Sequence, residues 1–462
     1  MNEAPARLSL AEWDVRYDTL RQRGLREAWY GGSLSRHVEH GDRRLLSLRF
    51  DNSPAALRLW NLLLTEEERL HAARAGGKKI VGAMKDLGTV PILAYAVPGL
   101  VAFYPDGAWW IPCLMEGSAG LLAKAGALGI DDTFCPVRAM LGAFETQRHF
   151  PIPDLLTCSV GATCDDFSAI AQRLEHMGHP IHWWEIPHRR PAEPGEEQTL
   201  LPTGATVAQS EIAFVARELE RLRRVLQDLA GRSISLDDVS ASIRAANVVR
   251  RLLCALRDAV YGSPCCPLPA LEMLIAEVLP VHFCSDRSET EAVLRELLAE
   301  VVRRVHCGSG ILPQSAVRLF WVNPVADLRI PRLVEDCGGR ICGADYMFCH
   351  AQATIPENVP PLEALAMAAL SDPMAGTAVD RGRWICREAR RFGAEAMVIS
   401  RIPGASHCAT EGEIIRRVVT RELPHLPVIE FEVPSVADAL LPTLQTRVEA
   451  LIETVRLRKV KP

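Results

Sequence analysis

Fourteen cysteines in 462 residues are the first side chains with chemistry to offer, because thiolates are the natural ligands of soft metals and iron-sulfur clusters. Cysteine is also among the most buried residue types, so most of the fourteen are expected to be core residues. Three stand apart by position. Cys135 lies in Asp-Asp-Thr-Phe-Cys-Pro-Val-Arg, directly before Pro136, and proline is favoured at the first position of a helix. Cys164 and Cys408 each stand where a loop after an expected strand enters an expected helix. At such a terminus the unpaired amide N-H groups and the positive end of the helix dipole lower a thiol's pKa and stabilise an anionic cluster. Three thiolates with no clear fourth would leave one metal position open to substrate or solvent. The spacing is long and is not a compact CxxC pair, so on the residues alone a joint metal site and three separate structural thiols both stand.

Elements that bring such distant residues together must form an open α/β layer, in which the loops after the strands gather at one edge. From Lys78 onward the chain has that texture, with short apolar runs separated by Gly, Pro and Asp and with helical stretches between them. The clearest unit is a strand at 155–160, the loop Gly161-Ala162-Thr163-Cys164, and a helix from Asp165 to Met177 with Phe167, Ile170, Ala171 and Leu174 on one face. A second unit has strands at 317–322, 340–342, 396–400 and 428–432, helices at 326–336 and 381–392, and a helix opened by Cys408 and reaching about Leu423. Between the units, helices at 211–229 and 236–259 are expected, the second N-capped by Ser235 with Asp238 at its third position. Residues 53–70 read as one amphipathic helix, and 187–204 as a polar linker with four prolines. The expected class is therefore α/β: two open parallel-sheet domains at 76–200 and 311–462, a helical N-terminal extension at 1–75 and a helical connecting section at 201–310.

The overall charge excludes several functions. A net charge of -5 provides neither the basic footprint of a nucleic-acid binder nor a polybasic membrane surface. The longest uncharged stretch, 89–104, is too short to span a bilayer and contains Pro91 and Pro98. The first residues lack the apolar run of a secretory signal, and a cytoplasmic location is expected.

The motifs Phe-Cys-Pro-Val-Arg-Ala-Met-Leu-Gly at 134–142, Pro-Asp-Leu-Leu at 153–156, Cys164-Asp165, Leu-Ala-Gly-Arg-Ser-Ile-Ser-Leu-Asp-Asp-Val at 229–239 and Ser-His-Cys at 406–408 together resemble the 2-hydroxyacyl-CoA dehydratase and benzoyl-CoA reductase family. Asn247, 335–339 and Gln-Thr-Arg-Val-Glu-Ala-Leu-Ile-Glu at 445–453 extend the likeness over about residues 80–458. The resemblance implies a 4Fe-4S cluster held by Cys135, Cys164 and Cys408 between two α/β domains. It implies a second homologous subunit, in a heterodimer or homodimer, and a separate ATP-hydrolysing iron-sulfur activator protein that supplies low-potential electrons. The implied substrate is an acyl-CoA thioester, whose carbonyl takes one electron so that the 2-hydroxyl can leave. With two electrons the same apparatus would reduce an aromatic acyl-CoA ring, and a non-catalytic electron relay is a third alternative. In agreement with a separate activator, no GxxxxGK[ST] loop occurs; Gly76-Gly77-Lys78 lacks the preceding glycine. Relatives with a double-cubane cluster carry further cysteines where this chain has Arg148-His149-Phe150-Pro151 and Asp372-Pro373-Met374-Ala375, which disfavours that cluster.

Other residues are weighed individually. Cys349 and His407 are candidate active-site residues: Cys349-His350 would line a substrate pocket or supply an unusual ligand, and His407 adjoins Cys408. The spacing of Cys337, Cys342 and Cys349 fits no standard zinc motif. Cys158 and Cys254 read as core residues, Cys265-Cys266 as loop residues, and Cys113 lies near the site's edge by sequence. Asp165 and Asp166 read as ordinary first-turn charges. The Trp109-Trp110 and Trp183-Trp184 pairs read as core or interface aromatics.

Overall fold

A computed structural model describes residues 4–25, 31–39, 43–84, 86–105, 118–147, 149–282, 285–347, 350–434 and 437–460; the side chain of Cys408 is not among the described atoms. Near the N-terminus, β1 (Arg7–Leu8) pairs antiparallel with β2 (Phe50–Asp51). The first large sheet contains β3 (Lys79–Met84), β4 (Leu100–Phe103), β5 (Leu155–Gly161) and β6 (Ile181–Ile186), all parallel, in the order β4-β3-β5-β6. A hairpin, β7 (Gln198–Leu200) with β8 (Thr206–Ala208), follows. The second large sheet contains β9 (Val317–Val322), β10 (Gly339–Asp345), β11 (Ala396–Arg401) and β12 (Val428–Glu432), also parallel, in the order β10-β9-β11-β12. The protein therefore has two parallel-sheet α/β domains. Numbered within each sheet, both orders read second-first-third-fourth.

Burial explains these strands. After its first residue β3 is wholly buried, and so is all of β10, as expected of parallel strands covered on both faces. The alternation of helices and strands supplies that cover. In the helix Gln209–Ala230, Ile212, Val215, Leu219, Leu222 and Leu226 form one buried stripe at helical spacing. Gly231 ends the helix with φ of 62°. The helix Leu236–Gly262 opens on the expected cap: Asp238 N-H donates to Ser235 Oγ, and Ser235 N-H donates to the Asp238 carboxylate.

Several elements differ from expectation. The helix expected over 53–70 is two, Pro54–Leu64 and Glu66–Ala75. Buried Thr65 divides them, its hydroxyl donating to Asn61 O and accepting from Arg69 Nη1, a side-chain alternative to the helical ladder. The segment 187–204 is partly folded, because β7 lies within it and Arg190 grips the Glu196 carboxylate with two N-H groups. β10 is longer than expected. Its glycines and terminal Asp345 weaken a strand signal, yet a Cβ on Gly343 would stand 2.7 Å from the Phe320 ring, so close packing explains that glycine. The helix expected from 326 begins at Arg329 and the one expected from 381 begins at Ala378, the latter capped by Thr377.

Candidate active site at the carboxyl ends of the two sheets

In an open parallel sheet, ligands bind beyond the carboxyl ends of the strands where the order reverses. Here that reversal lies between β3 and β5 in one sheet and between β9 and β11 in the other. Cys164 follows β5 as the N-cap residue of the helix Asp165–His176. Cys408 follows β11 in the equivalent place, but the helix begins two residues earlier, at Ser406, with extended Ala405 as its cap; Cys408 sits in the first turn and does not open it. Cys135 is buried and caps a short 3-10 turn, Pro136–Arg138, that runs into the helix Ala139–Thr146.

The segments that carry these cysteines touch. Ser406 N-H donates to Asp166 Oδ2 at 3.0 Å and its hydroxyl lies 3.1 Å from the same oxygen. Cys164 Sγ is 3.8 Å from Ser406 Oγ and 3.4 Å from Asp166 Oδ2. Asp166 is thus no solvated first-turn charge: it is buried and clasps the two domains. Its neighbourhood reverses the expectation for the thiol. Burial, and then the Asp166 carboxylate, push Cys164 up to about 12, where a bare helix terminus would lower it. Gly404, at φ of 78°, presses on the other partner, since a Cβ there would stand 2.7 Å from the Phe134 carbonyl carbon. Gly404→Ala is expected to cost about 1–2 kcal/mol for the left-handed backbone alone, plus the clash with Phe134. Gly129 has φ of 89° and no neighbour near its Cβ position. A urea midpoint that falls no further for Gly404→Ala than for Gly129→Ala would show that the loop does not rest on Phe134.

Also beyond the carboxyl ends of strands of both sheets lies a cavity of about 200 Å³ bounded by Leu87 after β3, by His350, Gln352, Ala353 and Thr354 after β10, by Arg250, Cys254 and Arg257 of the helix Leu236–Gly262, and by Trp384. His350 is fixed from both sides, Nε2 against Asp345 Oδ1 at 2.6 Å and Nδ1 against Asp372 Oδ1 at 3.0 Å. Burial works against its charge, but the Asp372 and Asp345 carboxylates prevail and raise it to about 9. Arg381 donates to Asp345 Oδ2 at 2.8 Å, to Asn323 Oδ1 at 2.7 Å and to Glu411 Oε2 at 2.6 Å. Although burial alone would raise it, Asp345 is held well below the ordinary carboxylate range by Arg381 and His350. This chain of contacts links the cavity wall to the helix that carries Cys408. With both ring nitrogens engaged, His350 is a fixed charged wall and has no lone pair to offer as a base.

The model of one protein family, 2-hydroxyglutaryl-CoA dehydratase, D-component, matches residues 91–455. The chain belongs to this family. No curated protein matches it. The match begins near β4 and ends within the helix Leu441–Val460, so all three cysteine segments of this dehydratase-family chain, its second sheet and every strand of the first but β3 fall inside it. As a D-component it is an enzyme subunit of the dehydratase type, whose name implies a companion subunit. No helix among the described residues is long and apolar enough to cross a membrane.

The remaining candidates in this dehydratase-family subunit are distributed as follows. Cys349, Cys113 and the Trp109-Trp110 pair lie outside the described residues. Among the described residues no group of three or more His, Cys, Asp or Glu is arranged to hold a metal ion; the side chain of Cys408 does not enter that statement. His407 is half-buried in the first turn beside Cys408. Cys158 is buried in β5 and Cys342 in β10. Cys337 is half-buried just past a helix end, its thiol pushed up to about 11 by burial. Cys265 and Cys266 are buried in a loop. Cys254 departs from the core reading: it is half-buried, lines the cavity and donates to Gln352 O. Trp184 is core, while Trp183 donates to Glu175 at the edge. Nothing in the sequence marks Arg250, Asp345, Asp372 or Arg381 as site residues.

Proposed function

We propose that this chain is the iron-sulfur subunit of a 2-hydroxyacyl-CoA dehydratase-like enzyme, with Cys135, Cys164 and Cys408 holding a 4Fe-4S cluster at the junction of the two domains. The observation that carries the reading is the convergence at that junction: Phe134 packs on Gly404, and Cys164 and Asp166 pack on Ser406. The donor set fits the group, because three soft ligands each stand at or within the first turn of a helix or 3-10 turn, where amide N-H groups remain available to an anionic cluster. Bound there, the cluster would supply low-potential single electrons and one iron without a protein ligand.

The chain's own residues do the rest. The cavity would take a small acyl group between loops that follow strands of both sheets. His350 and Asp372 form a polar wall of the cavity, fixed from behind by Asp345 and Arg381, which would reorganise little as charge develops on a bound thioester. Electrons would come from a separate ATP-hydrolysing activator, since the sequence has no phosphate-cradling loop of its own.

Anaerobic purification followed by iron, sulfide and zinc analysis tests the reading. About four iron and four sulfide per chain are expected. Zinc without labile sulfide would replace the proposal with a structural zinc site, and turnover with NADH alone would remove the activator. Titration of the reduced subunit pair with acyl-CoA should shift the cluster's spectrum, whereas an electron relay would give no response.

A further inference from the structure

Four cations line the cavity, and three of them have carboxylate partners. Arg257 is ion-paired with Glu277 and lies 3.4 Å from Glu388, Arg391 lies 2.6 Å from Asp258, and His350 stands between Asp345 and Asp372. Arg250 is the exception. It is 7% exposed, and among the described residues no carboxylate comes within ion-pair distance of it. Among the described residues it donates from Nη1 to the Ala353 carbonyl oxygen at 2.9 Å. Other carbonyl-bound arginines of the protein are more fully engaged. Arg318 donates to Tyr261 O, Ser263 O and Phe392 O, and Arg340 to Val260 O and Pro264 O.

A largely buried guanidinium beside a neutral carbonyl has lost most of its hydration without gaining an anion, which leaves it suited to take one. The surroundings preserve this arrangement. Gly88, at φ of 85° in the loop after β3, brings only backbone to the guanidinium; a Cβ there would stand 3.3 Å from Nη2. Arg250 sits one helical turn before Cys254 and two before Arg257 and Asp258 on the face that lines the cavity.

We infer that Arg250 is the anchor of an oxyanion-binding site inside this cavity, completed by a carboxylate or phosphate group of the ligand. A guanidinium offers either group two parallel N-H donors. The requirement for an anion stands on the geometry of Arg250 alone, whereas the choice of acyl-CoA as the molecule that carries it rests on the function proposed above. Two parts of such a ligand could supply the anion: a carboxylate at the far end of the acyl chain, or a phosphate of the coenzyme A moiety.

The test uses the full chain in iron-free form, so that it is independent of the cluster. Calorimetric titrations of wild type, Arg250→Gln and Arg250→Lys with coenzyme A, butyryl-CoA, glutaryl-CoA and inorganic phosphate distinguish the sources. If the anion is an acyl carboxylate, wild type binds glutaryl-CoA at least about tenfold more tightly than butyryl-CoA, Arg250→Gln abolishes the difference and Arg250→Lys retains part of it. If it is a phosphate, Arg250→Gln weakens coenzyme A and both thioesters alike by about tenfold or more. Equal affinities in wild type and Arg250→Gln for every probe, or no binding of any probe to wild type, would overturn the inference. Melting supplies a separate readout: without ligand, Arg250→Gln should melt no lower than wild type, because the residue lost is a poorly satisfied cation. A marked fall, or failure to fold, would make Arg250 a structural residue and also overturn it. Absence of iron in the purified chain would defeat the cluster assignment and leave these binding results standing.

Discussion

Serine at Cys135, Cys164 or Cys408 is expected to remove most of the iron and labile sulfide from the anaerobically purified chain, while Cys307→Ser and Cys254→Ser leave both in place. A serine hydroxyl is a hard, weakly acidic ligand, so replacement of any of three thiolates strips a corner from the cluster and exposes the rest to loss. The contrast is informative because it separates position from residue type. Cys307 is exposed just past a helix C-terminus, and Cys254 lines the cavity on a different helix. Iron and sulfide assays, with circular dichroism to establish folding, read the outcome. Full iron content in the triple-serine variant would end the assignment.

The second large effect is on stability. Arg381→Met is expected to cost about 3–5 kcal/mol, because it leaves the buried Asp345 carboxylate without its main counter-charge and strands Asn323 Oδ1. Arg383→Met, two positions further on the same helix but exposed, should change stability by no more than about 0.5 kcal/mol. Urea unfolding at pH 7 compares the two, and equal midpoints would show that the Asp345 network does not support the fold. The same network sets a pH dependence. His350 has a folded-state pKa of about 9, above the 6.5 of an unperturbed histidine. Its contribution is therefore complete below about pH 6.5 and is lost as the pH rises to about 9, on the order of 3 kcal/mol in all. His350→Gln should flatten the decline of stability over that window. An equally steep decline in the variant would assign the titration to another group.

Local signals made much of this arrangement legible in the sequence. The loop from β5 through Gly161 to Cys164 has an apolar run on one side and an amphipathic helix on the other, so Cys164 was placed without knowledge of any partner. Cys408 was placed in the same way, although the extended cap at Ala405 moved the helix start back to Ser406. The clasp and the cavity wall were not legible, because they depend on distant partners. Asp166 meets Ser406 240 positions away, and Arg381 meets Asp345 36 positions away. In isolation Asp166 is an ordinary first-turn acid and Arg250 an ordinary helical arginine. Only burial distinguishes them. Asp345 misled in the opposite direction, since a carboxylate and two glycines conceal a strand that is buried throughout.

The shared strand order has a consequence for assembly. All four strands of the first sheet come from residues 79–186 and all four of the second from 317–432, so each ladder is closed by connections far shorter than the one that separates the two sheets' meeting segments. The clasp between Asp166 and Ser406 instead closes a segment of 240 residues. Among these contacts it has the longest loop to close and so the largest closure entropy. Cys135 and Cys164 lie on the first-sheet side of that long closure and Cys408 on the second-sheet side. A cofactor held by all three would bridge that closure, and its loss would be felt first at the seam between the sheets and not within either ladder.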